Sequence, residues 1–197
     1  MRIISGTMRG MKLNTLDGLN TRPTLDRVKE ALFSKLASQI DVNTIVLDLF
    51  SGSGALGLES ISRGAAKAVM CDKDYSAFKI IKQNVEKAKA IDKTELINSD
   101  YLKALKNLAE KKYKFDIVFL DPPYKTDFAS VAAHELITLD LLSEDGIIVI
   151  ETDEREKVIN KIDNNILDIY DEKKYGRVYL LFVKAHAFRI MLKSFNK

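Results

Sequence analysis

In the stretch VLDLFSGSGALGLES, three of the chain's nine glycines, Gly52, Gly54 and Gly57, fall within six residues. Glycine at that density lets a backbone turn tightly and lets a ligand approach main-chain N–H groups at the start of a helix. The spacing is formally G-x-G-x-x-G with Asp72 twenty residues beyond Gly52, the pattern of a dinucleotide site. A pyrophosphate is poorly served by an anion, however, and Asp48 stands four residues ahead of the first glycine. A carboxylate there suits an amino-bearing or cationic ligand, and S-adenosylmethionine carries both an ammonium and a sulfonium. On that reading Asp72 accepts hydrogen bonds from both ribose hydroxyls, a bidentate task suited to a carboxylate. Asp100 accepts from the adenine amino group, and Tyr101 or Leu102 covers the ring. Phe50, Ser51 and Lys73, which flank these positions, and Asp121 further along are assigned to the same cofactor pocket. Each acid alone has a plainer reading, as a solvated loop residue or, for Asp100 ahead of YLKAL, as a helix cap. Three acids at successive strand ends around one glycine loop are harder to dismiss.

The second cluster is VFLDPPY, Val118 to Tyr124, which contains two of the chain's three prolines. Proline fixes its own φ and biases the preceding residue away from helix, so Pro122 and Pro123 hold the chain extended just after Asp121. The result is a stiff ledge of acceptors, a carboxylate and backbone carbonyls, with no N–H from either proline. Such a ledge suits a donor substrate, an exocyclic amino group. The lone pair of a nucleobase amine is delocalised into the ring. Accepting both N–H hydrogens, with the Asp121 carboxylate and the Pro122 carbonyl, orients the nitrogen and aims its lone pair at a methyl carbon. An ordinary aspartate, with a pKa of about 3.9, is ionised at neutral pH and can take the proton released afterwards. Tyr124 offers a flat face for an extruded base, and stacking of roughly 1 to 3 kcal/mol compares with the few kcal/mol that extrusion costs. Attack on a sulfonium methyl disperses charge, so no metal is expected.

Both clusters need rigid elements to position them. From Thr44 onward apolar runs of five to seven residues, TIVLDLF, KAVMCD, TELIN, FDIVFLD and GIIVIE, alternate with helical stretches at 55–63, 74–90, 101–112 and 128–136. Strands apolar on both faces and joined by helices predict an α/β fold with a parallel sheet covered on both sides. In such a sheet ligands bind at the carboxyl ends of the strands, where Asp48, Asp72 and Asp121 fall. Near the end, ILDIYDEKKYGRVYLLFVK places two strand-like runs around Gly176, predicting an antiparallel pair at one edge. At the start, RIISGTMRGMKL reads as a small hairpin or arm. TRPTLDRVKEALFSKL follows it as a helix, with Leu25, Val28, Leu32 and Leu36 at helical spacing.

At 197 residues the chain is long enough for one sizeable core with a small appendage. The opening MRIISGTMRG has no apolar h-region and the longest apolar run, VYLLFV, is too short to span a bilayer, which points to the cytoplasm. A single cysteine, Cys71 within AVMC, excludes an internal disulfide and reads as a buried hydrophobe. The net charge of +3 is unevenly spread: residues 1–29 carry +4, the last fourteen carry +4, and the middle carries −5. Basic ends on a mildly acidic body fit a polyanionic partner, because Lys and Arg gain by displacing counterions from phosphates.

Taken together, VLDLFSGSGALGLESISRGA, FDIVFLDPPY and the N-terminal RIISGTMRGMKL with TRPTLDRVKEALF resemble the bacterial RsmD family, which methylates the exocyclic N2 of a guanine in 16S ribosomal RNA. The resemblance spans Arg2 to about Val183. It implies a Rossmann-like class I methyltransferase fold with a seven-stranded, mostly parallel sheet, S-adenosylmethionine as methyl donor, and an N-terminal extension that holds RNA. Carried over, Asp48, Gly52, Gly54, Asp72 and Asp100 line the cofactor and Asp121 to Tyr124 the target base. Arg2, Arg9, Lys12, Arg22 and Arg27 are the candidate RNA contacts, and Thr21 to Thr24 could close over the methionine end of the cofactor. The expected organisation is an RNA-binding arm and helix over 1–40, a methyltransferase domain over 41–184, and a basic tail over 185–197, either an amphipathic RNA-binding helix or a frayed end. The partner is then 16S ribosomal RNA or a small-subunit assembly particle, with a monomer as the default state. Two rivals stay open: a DNA adenine-N6 methyltransferase, which lacks room here for a target-recognition region, and a non-catalytic RNA-binding assembly factor. A protein glutamine methyltransferase would favour asparagine at the place of Asp121. An NAD-dependent dehydrogenase would need a hydride-transfer site, for which no residue stands out.

Overall fold

The computed structural model describes residues 1–15, 23–123 and 126–186, and the side chains of all of these but 23–25. Arg22, Tyr124, Thr21 to Thr24 and nearly all of the basic tail therefore lie outside the described side chains. The chain forms two compact units, Met1–Tyr101 and Leu102–Lys197. Seven strands form one mixed, mostly parallel sheet.

In the first unit β1 (Ile45–Asp48), β2 (Lys67–Asp72) and β3 (Thr94–Asn98) run parallel, with Asp48 opposite Met70 and Asp72 opposite Asn98. Val46, Leu47, Val69 and Met70 are fully buried, as expected for strands covered on both faces. The helices α2 (Ala55–Ser62) and α3 (Tyr75–Lys87) follow β1 and β2, and α4 begins at Tyr101 (Tyr101–Glu110). Asp74 caps α3 by accepting from the N–H groups of Ser76 and Ala77. Ahead of the sheet stands α1 (Pro23–Lys35), whose Val28, Leu32 and Phe33 are buried together with Leu36.

The N-terminal segment is an arm closed by a single antiparallel bridge, Arg2 to Lys12, with Ile3 N–H donating to the Met11 carbonyl at 2.9 Å and Gly10 N–H to that of Ile3 at 2.9 Å. Two donors from the arm, Ile4 N–H and Ser5 N–H, reach the wholly buried Glu59 of α2 at 2.7 and 3.0 Å. On the other side Asn14 exchanges hydrogen bonds with the wholly buried Asn84 of α3, donating its N–H at 2.8 Å and accepting from the Asn84 amide at 3.0 Å.

The second unit pairs β4 (Phe115–Leu120) in parallel with β5 (Leu142–Thr152), and β5 antiparallel with β7 (Val178–Ala185), which in turn pairs antiparallel with β6 (Leu167–Tyr175). The C-terminal antiparallel pair and its turn at Gly176 are as expected from sequence. β5 begins four residues earlier than its apolar run suggests. A register shift between Phe115 and Ile117 lets Leu142 pair with Phe115, which carries the polar Ser143-Glu144-Asp145 into the strand. Two helices complete the unit, α5 (Phe128–Thr138) and a five-residue α6 (Arg155–Ile159) too short to leave a periodic signal. His134 on α5 accepts from Asp163 N–H at 3.0 Å, a structural task. Among the described residues no helix is long and apolar enough to cross a membrane.

Candidate active site

The glycine loop of the first unit is built largely from its own backbone. Gly52 has φ +54 and a Cβ there would meet nothing, so the position demands a left-handed conformation and leaves open space above it. Gly54, at φ +76, is the N-cap of α2. At Gly57 the constraint is contact: a Cβ would lie 2.6 Å from the Met70 sulfur, so this glycine lets α2 press onto β2. The buried Asp48 braces the same loop by accepting from Gly57 N–H at 3.1 Å. Ser51 donates its hydroxyl to the Asp48 carbonyl at 2.6 Å and its N–H to the Cys71 carbonyl at 2.9 Å. The sequence assigns both residues to the cofactor, and both hold the loop that would receive it.

Asp72 is held from two sides. One oxygen accepts from Gly52 N–H at 2.9 Å, the other from Asp74 N–H at 2.9 Å. A carboxylate oxygen accepts more than one hydrogen bond, so the side chain is oriented without being exhausted, as a bidentate contact to a diol requires. Asn98 at the end of β3 fixes this turn by donating to the carbonyls of Asp72 and Lys73 at 2.9 and 3.3 Å. Phe50 and the buried Tyr101 pack as tilted rings 5.4 Å apart. Lys73 and Asp100 are exposed beside them. The open space over Gly52, the oriented Asp72 and this aromatic pair fit a nucleoside with an amino acid tail, the shape of S-adenosylmethionine.

Asn84 is a further residue of this region that the sequence did not advertise. The amide that binds Asn14 also donates to the Ser53 carbonyl inside the glycine loop at 2.8 Å, so one buried side chain ties the arm to the loop. On the arm itself Arg2, Arg9 and Lys12 are exposed, as is Arg27 on α1. The Arg2–Lys12 bridge sets two of these cations opposite each other, and Arg2 is also 3.5 Å from Asp26. Cys71 is buried, and burial pushes its thiol up to about 12, as befits an inert core cysteine.

In the second unit Asp121 directly follows β4, with Pro122 buried and Pro123 exposed after it. Thr126 donates its hydroxyl to the Pro123 carbonyl at 2.8 Å. Asp121 is itself exposed, yet enough protein surrounds it to push its carboxyl up by desolvation, to about 6. That exceeds the ordinary aspartate value expected from sequence and still leaves the group mostly ionised at pH 7. A solvent-open pocket of about 280 Å³ beside the ledge is lined by Pro122, Pro123, Thr126, Glu151, Lys157 and Val158. Sequence reading passes over Glu151. The signal is present: GIIVIE ends in an acid, as do the runs that end at Asp72 and Asp121. Among the described residues no group of three or more His, Cys, Asp or Glu side chains is placed to hold a metal ion.

A family model described as conserved hypothetical protein 95 matches residues 1–184. The ribosomal RNA small subunit methyltransferase D of Haemophilus influenzae is 38% identical over 160 residues, 81% of this chain and 82% of that protein. The chain belongs to the RsmD family. The solved yhhF protein of Escherichia coli superposes with a TM-score of 0.81 at 32% identity, over 95% of this chain and 98% of that one. A precorrin-6y C5,15-methyltransferase from Geobacter metallireducens, at 16% identity and a TM-score of 0.67 over 88% of this chain and 93% of that one, shares the fold alone. The fold is that of class I methyltransferases, as the resemblance implied. The family match ends at residue 184, so the basic tail falls outside it.

Proposed function

We propose that the protein transfers a methyl group from S-adenosylmethionine to the exocyclic N2 amino group of a guanine in 16S ribosomal RNA. The observation that carries this reading is the Asp121-Pro122 acceptor ledge at the end of β4, in a chain whose family includes small-subunit ribosomal RNA methyltransferases. Asp72 would hold the ribose, Asp100 the adenine amino group, and the loop from Phe50 to Gly54, braced by Asp48 and Ser51, the remainder, with Lys73 and Tyr101 at the edges. Bound there, S-adenosylmethionine supplies a sulfonium-activated methyl group.

Asp121 and the Pro122 carbonyl accept the two N–H hydrogens and turn the nitrogen lone pair outward. When the C–N bond formed, the methyl–sulfur bond would break and leave a neutral thioether; the nitrogen would become an ammonium, and Asp121 would take its extra proton. Tyr124 stacks on the base. Arg2, Arg9, Lys12, Arg22 and Arg27 hold phosphates. The substrate is the RNA or a small-subunit assembly particle in the cytoplasm, and the enzyme acts as a monomer.

The test follows labelled methyl from S-adenosylmethionine into unmodified small-subunit RNA, assembly particles and duplex DNA, with Asp121→Ala alongside. The expected result is N2-methylguanosine in RNA or particles, reduced by at least a hundredfold in the variant. Label in DNA adenine refutes the substrate, and binding of RNA without any transfer turns the protein into an assembly factor.

A further inference from the structure

Glu151 is half-buried on β5, and nothing in the reaction above uses it. Leu120 pairs with Ile150 in the parallel ladder. Asp121, the residue after β4, and Glu151 of β5 therefore come next along the two chains, where a continued ladder would set them about 5 Å apart at Cα, and the Asp121 charge acts on Glu151. Glu151 also lines the pocket that Pro122 and Pro123 border. Across β5 it faces Leu180 of β7, which brings no charge. The other charged groups of that pocket, Glu154 and Lys157, pair with each other at 3.2 Å, and Lys157 lies 3.6 Å from Asp127, which Lys161 also holds. Among the described residues, the charge left to act on Glu151 is that of Asp121.

We propose that Glu151 is a positioning residue for Asp121: one proton shared between the two side chains fixes one Asp121 oxygen and leaves the other to accept from the substrate amine. This rests on the methyl-transfer reading above and names the group that aims its ledge. Side-by-side carboxylates cannot both ionise cheaply, so the pair retains one proton where isolated groups would have none. Burial first, and the Asp121 charge second, push Glu151 up to about 8, while Asp121, at about 6, ionises before it. At pH 7 the pair holds one proton, which bridges Glu151 and one Asp121 oxygen. Above pH 8 the proton is lost, the two anions repel, and Asp121 swings off the amine. The proton released by the product ammonium goes to Asp121 and then to water, and Glu151 keeps its own throughout.

The test compares wild type with Glu151→Gln, whose amide N–H replaces the shared proton. Methyl-transfer rates on small-subunit RNA are measured from pH 5 to 10, and carboxyl carbon shifts of 13C-labelled glutamate and aspartate are followed over the same range. With Glu151 at about 8, wild-type kcat falls roughly tenfold between pH 7 and 9, at little change in KM. In Glu151→Gln that fall disappears, while the acid limb set by Asp121 near 6 stays. One glutamate resonance titrating near 8 is absent from the variant. The proposal is overturned if that resonance titrates in the ordinary range near 4.5, or if the variant keeps the alkaline fall. Wild type that transfers no methyl at any pH defeats the functional reading instead, and the resonance then decides Glu151 alone.

Discussion

Replacing Glu59 by alanine should loosen the N-terminal arm at a cost that the structure lets one work out. Glu59 is fully buried on α2, and its two oxygens serve four donors: Ile4 N–H at 2.7 Å, Ser5 N–H at 3.0 Å, Arg63 Nε at 2.8 Å and the Lys29 ammonium at 3.4 Å. Lys29 is only 6% exposed. Burial lowers its pKa, and Glu59 is the main influence pulling it back up. The variant strands a buried ammonium and two backbone donors. Breaking a buried pair by removing one partner costs about 3 to 5 kcal/mol. Lys29 can shed its proton and recover part of this, so the lower end, about 3 kcal/mol, is expected at neutral pH. For a chain of this size, each kcal/mol moves Tm by roughly 2 to 4 °C, and the drop is therefore roughly 6 to 12 °C. Urea unfolding gives the free energy, and amide hydrogen exchange at Ile4 and Ser5 tests the cause, since both should lose protection before the sheet does. Adding Lys29→Met to Glu59→Leu removes both charges and should regain more than half of the loss. A loss below about 1 kcal/mol in Glu59→Ala, with Ile4 and Ser5 still protected, would refute the idea that Glu59 holds the arm.

The arm also carries two predictions about ligands. Changing Arg9 and Lys12 to glutamine should weaken RNA binding and flatten its salt dependence by about one unit of slope for each phosphate no longer neutralised, measured by titration at several salt concentrations; an unchanged slope takes both side chains out of the interface. Asn84→Leu removes the link between Asn14 and Ser53 and leaves buried polar groups unpaired at about 1 to 3 kcal/mol each, so calorimetry should find affinity for S-adenosylmethionine and for RNA falling together. A variant that loses only one of the two affinities would show that arm and loop are held independently.

What could be read from the sequence was what depends on neighbours along the chain. The parallel strands were legible because burial on both faces leaves continuous apolar runs, and the glycine loop because a left-handed turn at Gly52 and close contact at Gly57 each exclude a side chain. The proline ledge was legible because ring closure fixes φ wherever it occurs. Glu59 and Asn84 were not. Each sits in a helix among polar residues, GLESIS and IKQNVEK, where a surface position is the default, and only docking of the arm some 55 or 70 residues upstream makes them core. The short α6 and the polar start of β5 were missed for a related reason, since one is below helical periodicity and the other depends on a register shift against β4.

Glu151 stands between these cases, and the difference bears on what acidic strand ends do in this fold. An acid closing a buried strand is costly to desolvate, so it persists where something at the strand end engages it. At Asp48 and Asp72 that engagement is backbone N–H from the glycine loop, which needs no further charge and leaves the carboxylate oriented. At Asp121 and Glu151 neither residue has such a donor among the hydrogen bonds described, and burial pushes both carboxyls up. The same residue type at equivalent strand ends thus serves two purposes. Where amides surround it, it is held in one orientation; where two carboxyls share a strand end, as we propose for Asp121 and Glu151, it is a group that keeps or takes a proton near neutral pH.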